Sequence, residues 1–285
     1  MIILIIQHET CRRHVGFKKF LCSCTSFPST SYNELYGLYR NGCVALEIGV
    51  ALSGCDAGGI CAWKILNELQ SYGFEIGMVS ACCIPAMAAL LYAGGCCEDK
   101  MESLSGKFLQ DTREYDLEAA VRNFSSAFKR SGGKKIPAAI SAVNITDGSI
   151  ITFTDHYELE NGNVKTVKMC DTYDMISATV SFMGGLGCYN FGGGRLCDYS
   201  CWYGSPVHPL KLAGFTKILS LAYLPKTPET PYEALAKRTV TSMGAAADMH
   251  ITTEFDKGLE LNAYVETALS RLESCADKII LNTLF

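Results

Sequence analysis

Two short stretches hold residues whose types and spacing suit chemistry. The first is Val79-Ser80-Ala81-Cys82-Cys83-Ile84-Pro85-Ala86, which sets Cys83 between an apolar run and a helix-forming one. A side chain at such a strand-to-helix bend is pushed out above the sheet, the setting of a nucleophile elbow. Backbones approach closely there, so small residues are wanted two places either side. Ala81 meets that need, and Pro85 stands at +2, where the first turn of a helix tolerates it. A thiol at a helix N-terminus is expected to ionise below its usual range. The competing reading is a thiol buried as a small hydrophobe.

The second stretch is Ser53-Gly54-Cys55-Asp56-Ala57-Gly58-Gly59, small residues directly before a helix. Backbone N–H groups of such a loop, with the helix dipole behind them, favour an anion or a developing oxyanion. A nucleotide-phosphate loop is a rival, but the G-x-G-x-x-G spacing is missing. A tight turn with no ligand is the third reading. Other candidates are weaker. His8, His14, His156, His208 and His250 are scattered, and His208 reads as a surface or loop residue. Asp147 belongs to a hairpin turn. Phe191-Gly192-Gly193-Gly194-Arg195 reads as a β-turn, since no helix follows it. Met175, Met183 and Met243 read as core.

These turns need elements to position them. Ile48–Ser53 is a short apolar run, hence a buried strand, and Ile60–Ser71 repeats apolar residues at helical spacing before Gly73. Phe74–Ala81 is a second strand. Ile84–Tyr92 returns to helix and stops at Gly94-Gly95. That order is a βαβα unit with parallel strands. Downstream, an amphipathic helix is predicted over 114–130. Ile140–Ile145 and Ile150–Phe153 flank Asp147-Gly148, a hairpin signal. A helix is predicted over Asp174–Met183 and a buried strand over Lys217–Leu221. Thr230-Pro231-Tyr232-Glu233 fits a capping box with Pro at the first helical position. It starts a helix to about 247, and a last helix covers about 257–275.

Composition excludes several classes. The chain has 285 residues, 48% of them hydrophobic, with a formal net charge of −4. That is an ordinary globular balance, with no basic surplus for nucleic acid. Fifteen cysteines are an odd number spread along a long chain, two pairs being vicinal. That suits buried thiols in a reducing compartment better than a secreted disulfide framework. Paired C-x-x-C zinc knuckles are absent, and no cofactor motif stands out. The apolar start, Met1–Ile6, is too short for a signal peptide, and no run reaches membrane-helix length. A cytoplasmic protein is expected, with residues 1–44 an extension and 45–285 one α/β domain.

The block from Ile48 to Gly95 resembles patatin-like phospholipases. That family begins with a strand, a G-G-G-x-R/K-G loop, a helix, then G-x-S-x-G and a helix ending near L-Y-A-x-G. Counting forward from Ser53–Gly59 places the family's serine on Cys83, and counting back from Leu91-Tyr92-Ala93-Gly94-Gly95 does the same. The family's second catalytic residue is an aspartate in D-G-G/A, with a proline-hydrophobic pair downstream. Asp198, followed by Pro206-Val207, looks like it. The likeness spans about residues 45–225. Its motifs are altered: Cys55 and Asp56 replace glycines, Gly58 replaces the basic residue, and Tyr199-Ser200 follow the aspartate. The resemblance implies a three-layer α/β/α fold around a mostly parallel sheet. It implies a Cys83–Asp198 dyad, with Gly54, Cys55 and Asp56 as the oxyanion loop. The substrate would be a lipid or small acyl ester, met through peripheral membrane contact. The alternative is a catalytically silent member that binds lipid or a protein partner.

Overall fold

The computed structural model describes residues 46–128, 136–155, 161–182 and 186–284. The expected extension 1–44 lies outside them, as do Met183 and His156. Among the described residues nine strands form one sheet, ordered β5-β4-β3-β2-β1-β8-β9, with β7 attached to β3 and β6 to β7. Their ranges are β1 Leu46–Ser53, β2 Phe74–Ala81, β3 Ala138–Asn144, β4 Ile150–Phe153, β5 Val164–Val167, β6 Tyr189–Phe191, β7 Gly194–Asp198, β8 Ile218–Pro225 and β9 Met249–Phe255. β1 pairs parallel with β8, β2 with β3, β4 with β5, and β8 with β9. The antiparallel pairs are β3 with β4, β3 with β7, and β6 with β7. The sheet is therefore mostly parallel, and every residue of the inner strand β8 is buried. Burial on both faces is why such strands read as continuous apolar runs.

Helices flank the sheet in the three-layer α/β/α arrangement. They are α1 Ala62–Ser71, α2 Pro85–Ala93, α3 Glu98–Glu114, α4 Leu117–Ala127, α5 Thr172–Val180, α6 Ser200–Tyr203, α7 His208–Leu212, α8 Pro231–Met243 and α9 Leu261–Leu284. In one group α9 packs on α1 and β9, and α1 packs on α2. In another α6 lies against α8, which rests on β8. α2 is buried at all nine of its positions, so it has no polar face to pattern. No described helix is long and apolar enough to cross a membrane.

Several predicted elements shift. The helix predicted over 114–130 is α4, Leu117–Ala127, capped by Asp116, which accepts from the Ala119 N–H at 2.7 Å, and a further helix, α3, precedes it and ends at Glu114. α3 was hidden because only a narrow stripe, including Met101, Phe108 and Leu109, is buried among charged residues. β9 and the longer α9 also go beyond the predicted 257–275. The helix from Pro231 ends at Met243 and tightens into a 3-10 turn, Gly244–Ala246. Met243, expected in the core, is 43% exposed, whereas Met175 is buried. The Asp147-Gly148 hairpin and the Gly192-Gly193 turn between β6 and β7 form as expected. The eleven cysteines at described positions are free thiols.

The loop after β1 shows why glycine is required at one position. Gly54 has φ +117°, and a Cβ there would lie 1.9 Å from the Tyr223 carbonyl oxygen of β8. Backbone does not yield as a flexible side chain does. Gly54→Ala is expected to lower stability by roughly 2–4 kcal/mol, combining left-handed strain with the clash. A urea midpoint equal to the wild type's would show that the loop does not pack this way.

Candidate functional site

Strand β2 and helix α2 meet at Cys83, whose φ is +56°. A non-glycine residue with positive φ is uncommon and marks a strained, over-determined turn. Its surroundings explain how it is held. The Cys82 N–H donates to the Leu52 carbonyl at 3.1 Å, tying the end of β2 to that of β1. The Cys83 N–H donates to Thr179 Oγ1 at 2.8 Å, and that hydroxyl donates to the Ser141 carbonyl of β3 at 2.8 Å. Pro85 fills the space beside Gly59, where a Cβ would meet the proline ring at 2.9 Å. The two turns noticed in the sequence thus pack on each other.

Asp198 arrives from far along the chain. It is the last residue of β7, opposite Ala142 of β3, and β3 is β2's parallel neighbour. Its Oδ1 accepts from the Ser200 N–H at 3.0 Å. Its Oδ2 accepts from the Tyr232 hydroxyl at 2.7 Å. Cys83 Sγ lies 3.5 Å from that same hydroxyl. The sheet therefore brings Cys83 and Asp198 to one place, and Tyr232 of α8 joins them. Sequence reasoning placed Tyr232 in a helix's first turn and saw no role for it. The capping box was the only local signal, and it forms: Thr230 Oγ1 accepts from the Glu233 N–H, and the Glu233 carboxylate reaches back.

The three residues expected to form an oxyanion loop differ in their surroundings. Gly54 and Cys55 directly follow β1 and are both buried. Asp56 serves the backbone of its own turn, where its Oδ1 accepts from the Gly58 N–H at 2.7 Å and caps the short 3-10 turn Ala57–Cys61. Its own N–H donates to the Tyr223 carbonyl at 3.3 Å. With the carboxylate turned to the loop and the N–H already engaged, Asp56 departs from the oxyanion role expected of it.

Electrostatics depart from expectation. Cys83 and Asp198 are both 0% exposed. Burial, reinforced by the Asp198 charge, pushes the Cys83 thiol well above its ordinary range. The expected depression at a helix N-terminus is overturned, because losing water outweighs the first-turn dipole. Burial also raises Asp198 to about 6, against hydrogen bonds from Tyr232 and Ser200 that lower it. Around neutral pH the pair is a thiol facing a carboxylate. Cys82 and Cys201 crowd the same carboxylate and are pushed up by burial and its charge. Among the described residues no group of three or more His, Cys, Asp or Glu side chains could hold a metal. His208 opens α7 and is half-buried, and burial lowers its pKa.

A buried carboxylate with a raised pKa favours folding while protonated. That advantage is whole below the unfolded value of 3.8 and lost as pH rises through about 6. Asp198→Asn removes the titration. Its stability relative to wild type is expected to rise between about pH 4 and 6 and then level, by an amount on the order of 1–3 kcal/mol. Chemical denaturation across that range checks it, and a difference independent of pH overturns it.

No known family's sequence profile matches the chain, and no curated protein matches it. Among solved structures, VipD from Legionella pneumophila is similar with a TM-score of 0.46 at 10% identity, over 84% of this chain and 67% of that one.

Proposed function

We propose that this protein is an acyl-ester hydrolase of the patatin-like kind, with Cys83 as nucleophile and Asp198 as its base. One observation carries the reading: a thiol held at φ +56° on a strand-to-helix turn, joined through one hydroxyl to a buried carboxylate. Helical and strand backbone give no reason for that strain, and strain of this kind concentrates at working sites. Cys83 Sγ forms a bond to the ester carbonyl carbon, the carbonyl π pair moves to oxygen, and the thiol proton ends on Asp198. Collapse of the oxyanion expels the alkoxide, which takes that proton. Water then attacks the thioester and gives a proton to Asp198; the C–S bond breaks, the departing sulfur takes that proton back, and the free carboxylic acid leaves. The Gly54 and Cys55 N–H groups are the proposed oxyanion donors.

The proposed substrate is a lipid or small acyl ester, reached in the cytoplasm by peripheral contact with a membrane. A net charge of −4 leaves nucleic acid without an electrostatic footing. A second reading has its own observation. Both dyad members are wholly buried and the thiol is held protonated. A silent protein that binds lipid or a protein partner through the same fold is compatible with that.

Turnover of a short-chain ester separates the two. Under the hydrolase reading Cys83→Ala abolishes release of fatty acid, and activity rises with pH as Asp198 ionises near 6. Cys83→Ser retains or gains activity if the remaining groups serve an oxygen nucleophile. A residual rate unchanged in Cys83→Ala would exclude the hydrolase.

A further inference from the structure

The Tyr232 hydroxyl stands between the proposed nucleophile and its base, and its single hydrogen is already committed. It donates to Asp198 Oδ2 at 2.7 Å. A phenol has one O–H and free lone pairs. The 3.5 Å contact with Cys83 is therefore made by the S–H, donating to the tyrosine oxygen. S–H to tyrosine oxygen and tyrosine O–H to carboxylate form a continuous file of two hydrogens. Both point from sulfur toward the group whose raised pKa suits it to receive a proton. Tyr232 itself is driven strongly toward its neutral form by burial and by Asp198, so it does not stop the proton as a tyrosinate.

Tyr232 is also fixed in place. It is the second residue of α8, after Pro231 and the Thr230 cap. Glu233, next to it, is bound by Lys257 Nζ at 2.8 and 3.0 Å, and Lys257 also holds Glu229 at 2.9 Å. This cap and ion cluster lock the turn that carries the ring. A hydrogen-bonded side chain set on a rigid element by a supporting shell is how reacting groups keep their geometry.

We propose that Tyr232 is a third catalytic residue, a relay that moves the proton between Cys83 and Asp198. This rests on the hydrolase reading but has a separate test. As sulfur attacks, the S–H bond breaks and a new O–H forms on Tyr232. The original Tyr232 proton passes to Asp198 Oδ2, the carboxylate becomes an acid, and the tyrosine stays neutral. The reverse shift returns a proton to the leaving alkoxide. The groups facing Asp198 and this file are Ser200, Cys55, Cys82 and Cys201, with Glu233 acting on Cys55 from α8.

The test uses the full chain and iodoacetamide, with Cys83 alkylation followed by mass spectrometry of its peptide. The exposed Cys97 and Cys170 serve as internal controls. In the wild type the relay predicts a rate that rises with an inflection near pH 6, where Asp198 becomes able to accept. Tyr232→Phe keeps the ring and is expected to lose that inflection, lowering the rate above it by roughly 10²-fold. Asp198→Asn should do the same, and the double variant should add nothing further. An inflection kept in Tyr232→Phe, its absence from the wild type, or faster alkylation of Tyr232→Phe overturns the relay; the last would mean the ring only plugs the site. Should Tyr232→Phe fail to fold, the wild-type rate in H₂O–D₂O mixtures decides. A bowed dependence on deuterium fraction supports two moving protons, and a straight line overturns them. Loss of the inflection in Tyr232→Phe together with no ester turnover would retain the relay and remove the ester.

Discussion

Removing a carboxylate from water is among the costliest acts in folding, and it recovers only what its new partners return. Asp198 is such a group. One partner is local, the Ser200 N–H two residues on, and the other, the Tyr232 hydroxyl, comes from α8. The tyrosine would not be in reach unless β7 ran along β3 and α8 folded against β8 and α6. The tertiary arrangement at this end of the sheet is thus tied to satisfying one charge. Burial first, and then the same charge acting through a low-dielectric interior, raise the pKa of the thiols of Cys82, Cys83 and Cys201.

Strain and burial act together at Cys83. A left-handed backbone is retained only where surrounding contacts over-determine it, and three do so here. Leu52 accepts from the residue before it, Thr179 takes its own N–H, and the Pro85 ring wedges against Gly59. The proline ring is accommodated by a glycine on the facing loop.

The region from Ile48 to Tyr92 was legible because its information is local. Apolar runs, glycine stops and a βαβα order act over a few residues, and they reappear as β1, α1, β2 and α2. Asp198 was reached only through a family likeness, since nothing near it in sequence announces a partner at Cys83. Tyr232 was missed for a plainer reason. Its role is made by a contact 149 positions away from Cys83, while its neighbours speak only of a helix cap. The thiol's pKa was misjudged because a sequence displays the helix that follows but not the water that is lost. α3 and β9 escaped because one hides a thin apolar stripe in a charged segment and the other alternates too briefly.

The chain has just two tryptophans, and they sit in opposite circumstances. Trp63 is enclosed in α1, its indole N–H given to Ser105 Oγ at 2.9 Å. Trp202 lies on α6, four residues past Asp198, and is 53% exposed. Nature has thereby installed two fluorophores with separable emission. The enclosed indole reports the interior and the wet one reports the neighbourhood of the carboxylate. Collisional quenchers will reach the second first, so an occupant arriving beside α6 can be followed optically without attaching a dye.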